Sequence, residues 1–390
     1  MKLLKIFIFG LIIIFISKFA YSQGWYAVIL SNTQSQATPT PFQQDIAICN
    51  GNPNLPSSFA YVNNATLFNQ INPNGQNVLF FNPNMQLLYS WYEGQLVNGN
   101  TYCDVWWINL SNGIPANSNV TIYMDIGSTS ANYYQQYYPY VGVSPWVISG
   151  YDNGQDVFIA YGYFNNTFDG WNGYAYSGSF SPTITSYGIE MTNGQCGGTY
   201  ILPPNNWNIP KMPLIVEEAW YFNYSVVYPA YVGTGGPLIS LFGNTSNQIS
   251  RPTSNLSTYV SFHYQPSNGG IFLESAVKNS VLNSTSFPFQ SDTVYGYLIV
   301  NSTYAQTGYY IYNTNQVWVP LKLLNMYTLS YNPNYGNYTY AGLNYNPYQY
   351  PTLELSGKCS GTLASSNLYI EWVVARAYPP NGEMPSIYIS

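Results

Sequence analysis

Charge is the scarcest quantity in this sequence. Lys, Arg, Asp and Glu make up 6% of 390 residues, with nine Lys plus Arg, fifteen Asp plus Glu and one His, where a soluble protein carries about 25%. Without a basic patch nothing can track a phosphate backbone, so nucleic acid is excluded as a partner. Disorder is excluded by the opposite count, since 46% apolar and 18% aromatic residues are far more than a non-collapsing chain contains. Cysteine stands at four with no Cys-x-x-Cys spacing, and a single His cannot complete a Cys/His zinc set. Helical periodicity is missing as well. No stretch keeps apolar residues at i, i+3, i+4 and i+7 over three turns, and only residues 131–138, ahead of Pro139, have the character of a short helix.

Long hydrophobic runs are limited to one. Residues 1–22 carry Lys2 and Lys5, an apolar stretch over 6–16, and Ala20-Tyr21-Ser22 with small residues where a signal peptidase reads. This predicts a cleaved signal with Gln23 as first mature residue; a retained anchor is the other option, although Lys18 closes the run short of the ~20 residues a spanning helix needs. No second such run exists, so no transmembrane span is expected in the mature chain. Cleavage leaves six cations against fifteen acids, a net charge of −9.

In an oxidising compartment Cys49, Cys103, Cys196 and Cys359 are most simply two disulfides, with three connectivities open. Pairing Cys49 with Cys103 and Cys196 with Cys359 keeps each bridge within one half of the chain. Asn-x-Ser/Thr sequons at Asn64, Asn109, Asn119, Asn165, Asn223, Asn244, Asn255, Asn283, Asn301 and Asn337 predict a glycoprotein.

What is abundant is strand-forming sequence. Short runs rich in Val, Ile, Tyr and Trp recur between Asn/Gly/Pro clusters, among them 78–81, 104–110, 120–126, 214–222, 295–300, 309–312 and 368–377. In the last, alternation places Leu368, Ile370, Trp372 and Val374 on one face. Many short strands with frequent turns predict an all-β fold of two jelly-roll-like β-sandwich domains in tandem. The divisions are 1–22 signal peptide, 23–146 first sandwich and 147–390 second sandwich, with the boundary near Pro145 and Gly150.

The order of several motifs carries a resemblance. Asp45-Ile46, Val78-Leu79-Phe80-Phe81, Trp91 and Glu93, Val105-Trp106-Trp107-Ile108, Ile114-Pro115-Ala116 and Val120-Thr121-Ile122-Tyr123-Met124 before Gly127-Ser128 resemble domain of unknown function 2341. That module precedes concanavalin-like lectin domains in archaeal and bacterial surface proteins. The second half is similar to such a lectin domain through Tyr151-Asp152-Asn153-Gly154, Phe168-Asp169-Gly170-Trp171, Val216-Glu217-Glu218-Ala219-Trp220 and the closing Trp372-x-x-x-Arg376-x-Tyr378-Pro379-Pro380. The resemblance implies a β-sandwich pair at a cell surface, of archaeal type, and implies no reaction.

Glycoside hydrolysis needs two carboxyls about 5–5.5 Å apart for retention or about 6.5–9.5 Å for inversion, and the Glu-x-Asp-x-Glu strand of laminarinase-type enzymes is absent. Glu217 and Glu218 are adjacent, and Glu354 and Glu371 stand alone in their strands, so these are expected as solvent-facing or bridging groups. His263 lies in a strand-like run with no Gly-x-Ser-x-Gly elbow in the chain. Acid proteases of the thermopsin kind share the composition, but no motif aligns. The segment Asp152-Asn153-Gly154-Gln155-Asp156 alternates oxygen donors as calcium would want, with Asp152, Asn153 and Asp156 as ligands; an Asx-type turn explains it equally well. No other cofactor is indicated. Aromatic rings beside amides make platforms for sugar C–H faces, and Trp171, Trp207, Trp220, Tyr345, Tyr348 and Tyr350 are candidates for that role.

These features describe a secreted or cell-surface glycoprotein, noncatalytic, that binds carbohydrate or a surface polymer in adhesion. A structural subunit of a filament, envelope or virion is the alternative, since strands poor in charged edge guards favour self-association; a secreted glycosidase or acid protease is the third class. Full protonation of the carboxyls would leave about +8 on some 370 residues, too little to drive the fold apart. The composition therefore suits an acidophile.

Overall fold

The structure, a computed structural model, describes residues 22–53, 59–98, 100–177, 182–193, 198–203, 213–223, 237–243, 258–265, 270–277, 280–288, 293–300, 304–311, 336–341, 351–358 and 367–390. Strands dominate it, as the alternating runs predict, and they form two pairs of sheets. In the first pair a four-stranded sheet has the order β24 (Ser386–Ile389), β1 (Ser22–Asn32), β7 (Ser118–Gly127), β4 (Val78–Phe81). Its partner has the order β3 (Tyr61–Asn63), β2 (Phe42–Cys49), β6 (Thr101–Leu110), β5 (Ser90–Asn98), β8 (Val141–Val143).

The second pair is larger. One sheet runs β10 (Asn172–Ser177), β13 (Gly198–Leu202), β22 (Pro351–Lys358), β15 (Pro237–Gly243), β16 (Thr258–Gln265), β17 (Gly270–Val277), β18 (Ser280–Pro288). The other runs β11 (Thr183–Thr185), β12 (Gly188–Asn193), β23 (Asn367–Ala377), β14 (Leu214–Asn223), β19 (Thr293–Val300), β20 (Tyr304–Ile311), β21 (Gly336–Ala341), with β9 (Ala160–Tyr163) also paired to β23. β16 packs over β19 and β20, and β17 over β20 and β21. Among the described residues the α-helices are single turns: α1 (Ala65–Phe68), α2 (Tyr133–Tyr137) and α3 (Gly154–Val157). α2 falls inside the segment read as helical. No helix among the described residues is long and apolar enough to cross a membrane.

The five-stranded sheet is covered on both faces, and this explains why every residue of β2 is buried. Phe42, Ile46 and Ile48 point with Trp106 and Ile108 toward the four-stranded sheet, where they meet Val28, Leu30, Phe80, Ile122, Met124 and Ile126. Phe80 and Trp106 touch edge to face at 5.9 Å. The opposite face carries Trp91 and Trp107, which pack on Phe158 of the next half at 5.3 and 5.9 Å. One apolar cluster therefore runs from Val28 in β1 to Val374 in β23. Burial of this kind contributes about 1.5–3 kcal/mol per large side chain. β24, the last strand, pairs with β1 through Val28↔Ile389 to Ser31↔Ser386, so the chain's end returns to the first sheet pair.

Two sequence expectations need correction. The ladder between β14 and β23 shifts where Ala219 faces Trp372 and Trp220 faces Ile370, leaving Glu371 as a bulge; Ile370 and Trp372 therefore fall on opposite faces, and the single alternating face over 368–374 does not exist. Glu218 is neither solvent-facing nor bridging, since it is buried without a hydrogen-bond partner, whereas Glu217 is bridging as expected, in a buried ion pair with Arg376.

Cys49 and Cys103 are direct cross-strand partners in β2 and β6 and form a disulfide. Cys196 and Cys359 lie outside the described residues. Residues 1–21 of the expected signal also lie outside. Because Cys49–Cys103 closes a separation of 54 residues, replacing both with Ala is expected to cost about 2–4 kcal/mol in denaturant unfolding under non-reducing conditions.

Candidate functional site

The segment singled out for calcium forms a turn that organises a surface. Asp152 accepts hydrogen bonds at Oδ1 from Trp91 Nε1 (2.9 Å) and the Gly154 amide (3.1 Å), and at Oδ2 from the Tyr161 hydroxyl (2.9 Å). The bond to the amide two residues on is an Asx turn. Burial raises the Asp152 carboxyl to about 6 even though all three bonds favour its anion. Asn153 is buried and donates to the Ser90 carbonyl (3.1 Å) and the Pro139 carbonyl (2.7 Å). Asp156 is exposed on α3, and its backbone carbonyl accepts from Asn109 Nδ2 at 3.0 Å. The three side chains thus go to different tasks. Among the described residues no group of three His, Cys, Asp or Glu is placed to hold a metal ion, and the Asx turn is the option the geometry selects.

What the turn supports is a platform of tyrosines. Asn153 clamps Pro139, which fixes its exposed neighbours Tyr138 (49%) and Tyr140 (44%). The Tyr140 ring stacks on Tyr89 at 4.8 Å and 24° between planes. Tyr138 meets Tyr151 edge-on at 6.1 Å and donates its hydroxyl to the Asp152 carbonyl at 3.1 Å. Tyr151 in turn stacks on the buried Tyr134. The Tyr89 hydroxyl is held above its ordinary pKa, first by desolvation and then by the Asp156 charge and Tyr140. Tyr138 is raised by desolvation, then by Asp152, Asp156 and Asp169. Asn109 ties Asp156 to Tyr89, its backbone N–H donating to the Tyr89 carbonyl at 3.0 Å and its Nδ2 to the Asp156 carbonyl at 3.0 Å. Exposed Gln155 joins them, donating Nε2 to the Asp169 carbonyl at 2.8 Å. The result is flat rings rimmed by hydroxyls, an amide and a carboxylate. Residues 23–210 contain no Lys, Arg or His, so none of this surface's own half offers a positive charge.

The other sequence candidates fare differently. Trp171 is not a ligand platform: it is 3% exposed, its Nε1 donates to the Tyr161 carbonyl at 2.8 Å, and its ring packs edge-on against Phe164. Trp220 sits in β14, with its side chain outside the description, and Trp207, Tyr345, Tyr348 and Tyr350 lie outside the described residues. Of the sequons, Asn119 and Asn165 are exposed. Asn64 caps α1 by accepting from the Leu67 amide, and Asn109 uses its Nδ2 on Asp156. Asn223, Asn283 and Asn337 lie in strands whose side chains there are not described, while Asn244, Asn255 and Asn301 lie outside. Sequence reasoning missed Tyr89, Tyr138 and Tyr140. The available signal was a cluster of five tyrosines in 133–140, too dense and too near Pro139 to be a half-buried strand.

No family model matches the chain. It is similar to Uncharacterized protein 562 of Sulfolobus islandicus rod-shaped virus 1, 31% identical over 208 residues that cover 50% of this chain and 32% of the relative; the chain thus spans about a third of that relative's length. Solved structures that overlap it in part include the Lotus tetragonolobus seed lectin (TM-score 0.40, 9% identity, 56% of this chain and 97% of that one). The winged bean acidic lectin complexed with methyl-α-D-galactose gives a TM-score of 0.39 at 10% identity over 55% and 95% of the two chains.

Two substitutions test how the turn carries the platform. Asp152→Ala strips acceptors from Trp91 and Tyr161 together and is expected to cost about 2 kcal/mol or more in denaturant unfolding. Gly142→Ala would drive a methyl into the Asn153 amide and to 2.6 Å from the Tyr151 carbonyl, with a loss of about 1–3 kcal/mol.

Proposed function

We propose that this protein is an exported, noncatalytic glycoprotein that recognises a neutral carbohydrate polymer through the tyrosine platform. One observation carries this: exposed Tyr140 stacked on half-buried Tyr89 beside exposed Tyr138, with Gln155 and Asp156 exposed nearby. Aromatic faces receive the C–H faces of a sugar, and the rim groups exchange hydrogen bonds with its hydroxyls. The lack of any cation in residues 23–210 disfavours uronic acids and sulfated chains, whose charge would meet Asp156 uncompensated. Export is supported by the disulfide and by the β1–β7 register, which runs unbroken only from Gly24, so removal of 1–22 takes one pair from the ladder. The likeness of residues 45–128 to domain of unknown function 2341 belongs to the same proposal of a surface protein.

The full chain is expected to be retained on neutral polysaccharides such as glucans or mannans and to pass through alginate. Tyr140→Ala and Tyr89→Ala should each weaken retention about tenfold, a change of about 1.4 kcal/mol, while Tyr140→Phe keeps it. Failure to bind any neutral polymer, or full binding by both alanine variants, overturns the proposal.

Glycosylation follows the same export. Peptide mapping of the secreted chain should find glycans at Asn119 and Asn165 and none at Asn109, whose amide nitrogen is already donating.

A second function is favoured by the similarity to a viral protein, namely a subunit of a virion or envelope. Fibres or sheets in electron micrographs of the purified chain would support it, and a monomer that binds glycan would not.

A further inference from the structure

Where the five-stranded sheet meets β14 and β23, carboxyl groups crowd together out of water. Asp45 comes from β2, Glu93 from β5, Glu217 from β14, and all three are 2% exposed or less. β23 contributes Arg376, whose Nε donates to Glu217 Oε2 at 3.1 Å and whose guanidinium lies 4.9 Å from the centre of the Trp107 ring. The uncharged groups are Trp107 of β6, donating to Glu93 Oε2 at 2.7 Å, and Gln43 of β2, accepting from the Ala377 amide at 2.8 Å. Asp45 Oδ2 accepts from the Ala60 amide at 3.0 Å. Asp45 Oδ1 and Glu93 Oε1 are buried with no hydrogen-bond partner. The remaining acid of β6, Asp104, faces the first core and bonds Tyr92, and Glu218 lies on the opposite face of β14.

We propose that this seam is a proton-binding lock: Asp45, Glu93 and Glu217 converge on the guanidinium of Arg376, and closing the seam over more carboxyls than positive charge takes up protons, so the two sheet pairs are held tightly in acid and loosely at neutral pH. The unpartnered oxygens are the sign of it. A buried carboxylate oxygen without a donor is costly, whereas a protonated carboxyl leaves no net charge to solvate. Burial raises Asp45 and Glu217 to about 7, with Arg376 pulling both down less strongly, and raises Glu93 well above the carboxylate range, with Glu217 adding repulsion. Unfolded carboxyls titrate near about 4. Between those values the folded chain binds more protons than the unfolded one, so the stabilisation is complete below about 4 and is lost as pH rises through about 7.

Thermal unfolding of the full chain at pH 4.5, 6 and 7.5 tests the lock, with Glu93→Gln as a permanently uncharged mimic. The melting temperature should fall from pH 4.5 to 7.5, and the variant should gain several degrees at pH 7.5 while matching the parent at pH 4.5. A Glu93→Gln protein that loses stability equally at every pH makes Glu93 a structural acceptor only and overturns the proposal. If that variant fails to fold, hydrogen exchange of the parent decides. Amides of β2, β5 and β23 should lose protection at pH 7.5 relative to pH 4.5 after correction for intrinsic exchange, and equal protection would overturn it.

Discussion

A sheet covered on both faces has no side of its own on which to place a polar residue, and the whole architecture follows from that constraint acting on β3-β2-β6-β5-β8. One face closes the first sandwich. The other is pressed against Phe158, Tyr161 and β23. Every acid or amide on it must then find a partner inside, which is why Gln43 bonds the Ala377 amide, Trp107 bonds Glu93 and Arg376 lies between Trp107 and Glu217. Remove Arg376 and three carboxyls would face apolar surface with no countercharge, a loss of several kcal/mol. The polar seam is thus also what fixes the relation of the two sheet pairs.

Low charge content changes meaning in this light. The few acids present are not spread over the surface as solubilising groups. Asp45, Glu93, Asp104, Glu217 and Glu218 are buried, and burial pushes each upward from its ordinary value. Burying carboxyls costs stability in neutral water relative to acid, so the proposed lock would act in the same direction as the acid suitability expected from composition.

Strand content was legible because short runs of Val, Ile, Tyr and Trp between turn residues need only the residues themselves, as 104–110 and 120–126 show within β6 and β7. The bulge at Glu371 was not, since it is imposed by β14, about 150 residues away in sequence. The oxygen pattern of 152–156 could be seen, but not its purpose: the donors that claim Asp152 are Trp91, at a separation of 61, and Tyr161, at a separation of 9. Trp171 in its Gly-flanked turn reads alike whether it faces sugar or core, and only the Tyr161 carbonyl, folded back over its N–H, separates the two. The tyrosine platform was hidden for the same reason, because Tyr89 and Tyr140 meet only once β8 lies parallel beside β5, with Ser90 opposite Val141.

The platform and the seam are two answers to one scarcity. A binding surface made of carboxylates and ammonium groups changes character as pH falls, whereas phenol rings and amides hold theirs from acid to neutrality. The proposed contact surface of Tyr89, Tyr138, Tyr140 and Gln155 is built from phenol rings and an amide. The chain buries Asp45, Glu93, Asp104, Asp125, Glu217 and Glu218, away from that surface. Asp156 is a rim group that crosses from charged to neutral in acid, and desolvation raises it. In acid the rim of the proposed platform therefore offers a hydrogen-bond donor as well as an acceptor, under the same conditions in which the proposed lock would tighten the fold beneath it.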